Sequence, residues 1–270
     1  MRGPTFECLF CKTTDRQAFR RIEHIIPESL GNDEMMLEPG FVCDTCNQYF
    51  GAKVENRMLN SPPFNVERTA FSVPTKKGKL PNFALDNNCV LSASGSSNQL
   101  IVVAKQNPQQ VWKKISSGYI VPEIPPGYDD LLPRFVLKIG LELLLTAERI
   151  DPYQTGFDAA RRYSRYGQRA GDWDVAWGIY PRRSDLYISS RVDAISPIHK
   201  HQLYQVEMGM MENHDIVLSF IYGQSVFACN LCRPSIMEYV LAFNMMNDFT
   251  LRCNWGRKKT QRLAGGLLSV

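Results

Sequence analysis

The sequence contains no apolar run long enough to cross a bilayer. Its longest, around Leu141–Leu145, falls far short of the ~20 residues a spanning helix needs. No apolar stretch follows Met1-Arg2-Gly3-Pro4, so no secretory leader is expected. Internal repeats are absent as well. Eight cysteines in 270 residues are too sparse for a disulfide scaffold. The expectation is a soluble, cytoplasmic protein without membrane association, whose cysteines are thiols or metal ligands. A net charge of only +4 is weak evidence for an anionic partner. A composition 44% hydrophobic and 21% charged excludes a disordered chain, because enough apolar surface is available to offset chain entropy. The length suits one large domain or two smaller ones.

Charge and cysteine are unevenly placed. Residues 1–56 carry a net charge of −3, and the remainder carries +7. The basic excess gathers in Arg149–Arg183 and in Arg252–Arg262, a stretch without an acid. Four cysteines, Cys8, Cys11, Cys43 and Cys46, crowd the acidic N-terminal segment. Cys89, Cys229, Cys232 and Cys253 are scattered.

Hydrophobic patterning predicts an α+β chain: a small N-terminal module of short, broken apolar runs followed by a mixed helical and antiparallel-β region. Three segments follow from it, 1–60, a β-rich connection 61–128, and 129–270. Ser92–Ser97 reads as a turn and Leu100–Ala104 as a strand. Leu131–Arg149 is apolar almost all round and predicts a buried helix; Thr155–Tyr166 predicts a second, stopped by Gly167. Strands are expected at Val175–Tyr180, Leu186–Ser190, Tyr204–Met210, Ile216–Tyr222 and Ser225–Leu231, with Gly223-Gln224 as a tight hairpin turn. A last helix is expected from Pro234 to about Met246.

Cys8-Leu9-Phe10-Cys11 and Cys43-Asp44-Thr45-Cys46 are two CxxC knuckles. Each places two thiolates on one turn, and two turns complete a tetrahedral Zn²⁺ site. The 31 residues between them exceed the spacing of a plain zinc ribbon, so the knuckles carry something of fixed size. That insert holds Glu23-His24-Ile25-Ile26-Pro27-Glu28-Ser29-Leu30-Gly31-Asn32, and Asn47 follows the second knuckle directly. At these residues the sequence resembles HNH endonucleases of the ββα-metal type, in the zinc-stapled group with a CxxC…EHIIPxSLG…CxxCN pattern. The likeness is best over residues 8–56 and continues more weakly through Arg134–Gly167.

The resemblance implies a nuclease with His24 as general base and Glu23 with Asn47 on a catalytic Mg²⁺ or Mn²⁺. It implies Cys8, Cys11, Cys43 and Cys46 on a separate structural Zn²⁺, and products bearing a 5′-phosphate and a 3′-hydroxyl. Standalone chains of this build resemble nucleases of mobile elements and phage defence. Histidine suits the base role because it titrates near neutrality, and oxygen ligands suit a hard cation. Two departures stand out. The Asn that often braces the catalytic loop is replaced by Glu38–Val42, so the brace is absent or comes from Asn32. A second metal-binding His after Asn47 is missing, and Glu55 is a candidate to supply a carboxylate.

An acidic catalytic segment needs cations elsewhere to hold a polyanion. Arg161, Arg165 and Arg169, spaced four apart on the second helix, would share one face. With Lys258 and Lys259 they are the nucleic-acid-binding candidates, and a solvated helix face is the alternative. DNA is the expected partner. An RNase on the same scaffold, a zinc-binding interaction module without catalysis, and a protein partner or homodimer stay open. Cys229 and Cys232 with Cys89 and Cys253 would make a second zinc site, but buried free thiols fit them better. His199 and His201 read as surface residues.

Overall fold

The computed structural model describes residues 4–75, 77–86, 89–95, 100–105, 107, 109, 128–147, 150–167, 173–179, 203–247 and 250–255. In the N-terminal segment two short strands, β1 (Glu23–His24) and β2 (Met36–Leu37), pair antiparallel, with Glu23 opposite Leu37 and His24 opposite Met36. A helical stretch follows as α1 (Asp44–Tyr49), a π-wound turn (Phe50–Glu55) and α2 (Asn56–Leu59). Strand, strand and helix make up the ββα arrangement expected here.

Helix α3 (Phe64–Ala70) leads to an antiparallel meander of β3 (Asn82–Asp86), β4 (Cys89–Ala93) and β5 (Leu100–Ala104). The Leu100–Ala104 strand is as expected. The Ser92–Ser97 turn starts later than the composition implied: Ser92 and Ala93 still pair within the sheet, opposite Ile101 and Leu100. Ser96 and Ser97 lie outside the described residues.

Helix α4 (Tyr128–Leu144) is buried along nearly its whole length. Helix α5 (Asp158–Tyr166) is preceded by a 3-10 turn, Thr155–Phe157. It stops at Gly167, whose φ of 63° lets its N–H reach Tyr163 O at 2.8 Å. That left-handed cap suits glycine because a Cβ would crowd the backbone there.

Five antiparallel strands form the main sheet, in the order β10-β6-β9-β8-β7. They are β6 (Val175–Ile179), β7 (Tyr204–Met210), β8 (Ile216–Tyr222), β9 (Ser225–Asn230) and β10 (Arg252–Trp255). Tyr222 pairs with Ser225, so Gly223-Gln224 is the expected two-residue turn. A Cβ on Gly223 would lie 2.3 Å from Glu67 Oε2, so α3 seats directly on this hairpin. The expected strand at Leu186–Ser190, together with His199 and His201, lies outside the described residues.

Side-chain alternation divides the sheet between two layers. Leu218, Phe220, Tyr222 and Phe227 face a core shared with α4. Val217, Val226 and Ala228 face Ile236 and Val240, the latter on α6 (Met237–Met246). Phe64 sits between the layers of aromatic rings, 5.4 Å from Phe135 and 5.3 Å from Phe227, centroid to centroid. One continuous core runs from Cys8, Phe10 and Phe50 through α4 to Leu231. The N-terminal segment therefore buries its apolar face against the rest of the chain rather than closing on itself. Among the described residues no helix is long and apolar enough to cross a membrane.

Candidate active site

The two CxxC knuckles converge. Cys8 and Cys11 sit on a turn closed by the bond from Lys12 N–H to Cys8 O and by Cys8 N–H to Thr13 O. Cys43 is the residue before α1, in extended backbone, and Cys46 lies in its first turn. The four sulfurs all lie within 4.8 Å of one another. Zn–S bonds of ~2.3 Å make a tetrahedron with edges of ~3.8 Å, and Cys11 Sγ lies 3.6 Å from Cys43 Sγ. The donor set and its compactness fit one zinc ion. The Cys43 and Cys46 thiols hydrogen-bond Cys8 and hold it well below the ordinary thiol range, and the thiolate is the form that binds metal. Among the described residues no other group of three or more His, Cys, Asp or Glu side chains comes together in this way. Cys229 is instead fully buried in the core, its thiol pushed up by desolvation.

The predicted second helix braces this centre. Arg165 Nε donates to Cys46 Sγ at 3.3 Å, and its guanidinium lies 3.6 Å over the Tyr49 ring. Arg134 donates to Tyr49 Oη at 2.6 Å and to the last carbonyls of α5, Ser164 O and Arg165 O, both at 2.9 Å. Arg161 and Arg165 share a helix face as expected, with Arg161 buried and Arg165 half-buried. Arg161 is 1% exposed and bonds Pro152 O at 3.1 Å and the Asp158 carboxylate. The expected solvent-facing row of arginines is thus not met at Arg161; its charge is spent on its own helix start. Arg169, Lys258 and Lys259 lie outside the described residues.

Between the knuckles, β1 and β2 enclose a loop built on Asn32. That side chain is 1% exposed, donates to Ile26 O at 2.6 Å and Met35 O at 3.0 Å, and accepts from the N–H groups of Glu34 and Met35. Tyr204, on β7 of the main sheet, donates to the same Asn32 Oδ1 at 3.0 Å. Asn32 is therefore the loop brace that the segment Glu38–Val42 does not supply. From α1, Asn47 Nδ2 donates to Ile22 O at 3.0 Å, just before Glu23. This leaves Asn47 Oδ1 as the atom suited to a cation.

Glu23, His24, Asn47 and Glu55 all line one cleft of about 750 Å³. On an α-helix, eight residues turn through roughly 800°, about 80° past alignment. The wider π winding of Phe50–Glu55 shortens that angle and lets Asn47 and Glu55 look into the same space. The same cleft is also lined by Arg68 from α3 and by Lys77 and Lys79 from the loop after it. Arg68 is 7% exposed and its Nε has no hydrogen-bond partner.

Beneath the acids lies Lys138, on α4 and 0% exposed. Its Nζ is 2.7 Å from Glu23 Oε1, 2.9 Å from Glu55 Oε1 and 2.7 Å from His24 O. Glu142 Oε2, one turn along α4, is 3.1 Å away but not aligned for a hydrogen bond. Burial alone would lower the Lys138 ammonium, but Glu142, Glu23 and Glu55 outweigh it and keep the lysine protonated. Burial pushes the carboxyls of Glu142 and Glu23 up, Glu142 well above the usual range. Of the three acids around this cation Glu142 is the most deeply buried, and its burial favours the protonated form most strongly. The second oxygen of Glu23, Oε2, is buried without a partner.

Of these residues, Lys138, Glu142, Arg68, Lys77 and Lys79 were not singled out from sequence. One signal was available. A Lys and a Glu four apart inside an otherwise apolar buried helix must find partners, because an unpaired buried charge is prohibitive.

Neither a curated protein nor a solved structure matches the chain. Residues 8–63 match the family model described as HNH endonuclease. That interval holds both knuckles, the β1–β2 hairpin with Glu23 and His24, and the helix that carries Asn47 and Glu55. Residues 8–63 of this chain are thus similar to HNH endonucleases, and the four cysteines within them could hold a metal ion.

Proposed function

We propose that the protein is a divalent-metal-dependent endonuclease that hydrolyses phosphodiester bonds in DNA. The observation that carries this reading is the make-up of a single cleft. Glu23, His24, Asn47 and Glu55 line it together with Arg68, Lys77 and Lys79. The basic residues are matched to a phosphate backbone, and the others to the cation and proton chemistry of its cleavage.

In this reading His24 takes the proton of the attacking water. Glu23 Oε2, Asn47 Oδ1 and Glu55 would hold Mg²⁺ or Mn²⁺, since hard oxygen donors with few protein ligands suit these ions. Such an ion supplies charge stabilisation for the leaving oxygen. Arg68, Lys77 and Lys79 grip the strand and orient the scissile phosphate. The zinc centre does no chemistry; it fixes α1, and with it Asn47, against the hairpin.

The test is cleavage of supercoiled plasmid by purified protein with Mg²⁺, Mn²⁺ or EDTA. Cation-dependent nicking or linearisation that His24→Ala abolishes is the expected result. His24→Ala cleaving like the native protein would sink the enzyme reading in favour of a zinc-binding interaction module. A parallel arm with single-stranded RNA separates DNase from RNase.

A further inference from the structure

We propose that Lys138 is a positioning residue of the nuclease site, supplied by α4 from outside the HNH module. It acts on the catalytic hairpin through Glu23 and through the backbone carbonyl of His24. The proposal rests on the nuclease reading above.

A lysine ammonium has three protons. Lys138 has three short contacts to acceptors, a hydrogen bond to His24 O at 2.7 Å and ion pairs to Glu23 Oε1 at 2.7 Å and Glu55 Oε1 at 2.9 Å. A weaker contact reaches Ile25 O at 3.4 Å. These acceptors come from both elements that carry the acids of the cleft, strand β1 and the π-wound turn. One rigid group therefore sets the distance between them. It stands on a helix whose neighbouring residues Leu137, Ile139 and Leu141 are fully buried, so its own freedom is small.

The choice of lysine is itself informative. A methionine would fill the same space in this apolar helix without burying a charge, and buried ion pairs are often no more stabilising than apolar replacements. What a methionine could not do is donate to the His24 carbonyl and pin one oxygen of Glu23 while the other stays unpaired. Lys138 also places a fixed positive charge beside two candidate metal-binding carboxylates. It therefore holds down their attraction for a divalent cation while fixing their geometry.

Lys138→Met alone strands the buried acids Glu23 and Glu142 and is expected to fold poorly. The informative variant is Lys138→Met with Glu142→Met, which removes the cation together with the acid that has no aligned donor. Zinc content and the melting curve report folding. Binding of Mn²⁺ to the zinc-loaded protein, read from the free-Mn²⁺ electron paramagnetic resonance signal, reports the site independently of cleavage. The expected result is one zinc per chain and a native-like melt, Mn²⁺ bound at least tenfold more tightly, and DNA cleavage at saturating Mn²⁺ reduced at least tenfold.

A purely structural lysine would not split binding from turnover in this way. Unchanged Mn²⁺ binding and cleavage in the folded double variant would overturn the proposal. So would parallel loss of both with a lowered melt. A native protein that cleaves no DNA would overturn the nuclease reading instead, whatever the Mn²⁺ titration gave.

Discussion

Arg165 can be assigned to zinc or to DNA by one substitution. Four thiolates around Zn²⁺ carry a net charge of −2, and Arg165 is the cation that touches a sulfur, with Nε 3.3 Å from Cys46 Sγ. Its guanidinium also stacks 3.6 Å over Tyr49, a contact worth about 0.5–2 kcal/mol. Arg165→Gln removes the charge while keeping most of the chain length. Losing an outer partner of a metal ligand weakens metal affinity about 10–100-fold, or roughly 1.4–2.8 kcal/mol. Competition with a chromophoric zinc chelator should show that loss, and DNA affinity at fixed zinc occupancy should change little. Native zinc affinity combined with weakened DNA binding would refute the assignment to zinc and restore Arg165 to the nucleic-acid surface.

Two other expectations follow from the same geometry. Cys43→Ser removes one zinc ligand from the residue that opens α1; a structural zinc contributes about 10–16 kcal/mol, comparable to the whole ~5–15 kcal/mol stability of a domain. Metal analysis and circular dichroism should therefore find a zinc-depleted, largely unfolded or insoluble product, and a folded zinc-free protein would contradict the structural role. Lys77→Gln with Lys79→Gln, measured by anisotropy in the His24→Ala background, should lower the slope of log affinity against log salt by about 2 for duplex DNA. An unchanged slope would remove both lysines from the DNA path.

The parts of this molecule legible in the sequence are those set by short-range rules. CxxC spacing placed four sulfurs on two turns, and Gly167 and Gly223 marked a helix end and a hairpin because their backbones need left-handed φ. Strands β7, β8 and β9 followed from recurring apolar and β-branched runs. The candidate catalytic pair was legible only through resemblance, since an extended Glu23-His24 would by itself send the two side chains to opposite faces. Periodicity put Arg161 and Arg165 on one face of α5 but could not say whether that face met solvent or core. In the fold Arg161 closes on Asp158 and Arg165 on Cys46.

Long-range contacts account for what was missed. Lys138 lies 114 residues from the His24 carbonyl it holds, and no local pattern encodes that distance. The basic residues of the cleft come from α3 and the loop beyond it, where isolated Arg68, Lys77 and Lys79 look like ordinary surface charge. They become a site only when the chain folds α3 beside the ββα unit. Within the −3 N-terminal segment, Glu23 and Glu55 pair with Lys138, and cations from later in the chain line the same cleft.

The most direct measurement of the central claim is chemical rescue of His24. His24→Gly, loaded with zinc and assayed on supercoiled plasmid in Mg²⁺, should cleave about 10²–10⁴-fold more slowly than the native protein. Free imidazole should restore part of that rate, with a pH dependence that tracks the neutral imidazole. Native-like cleavage by His24→Gly without imidazole would contradict the account. A loss that imidazole never restores, with fold and Mn²⁺ binding intact, would deny His24 its place as the base.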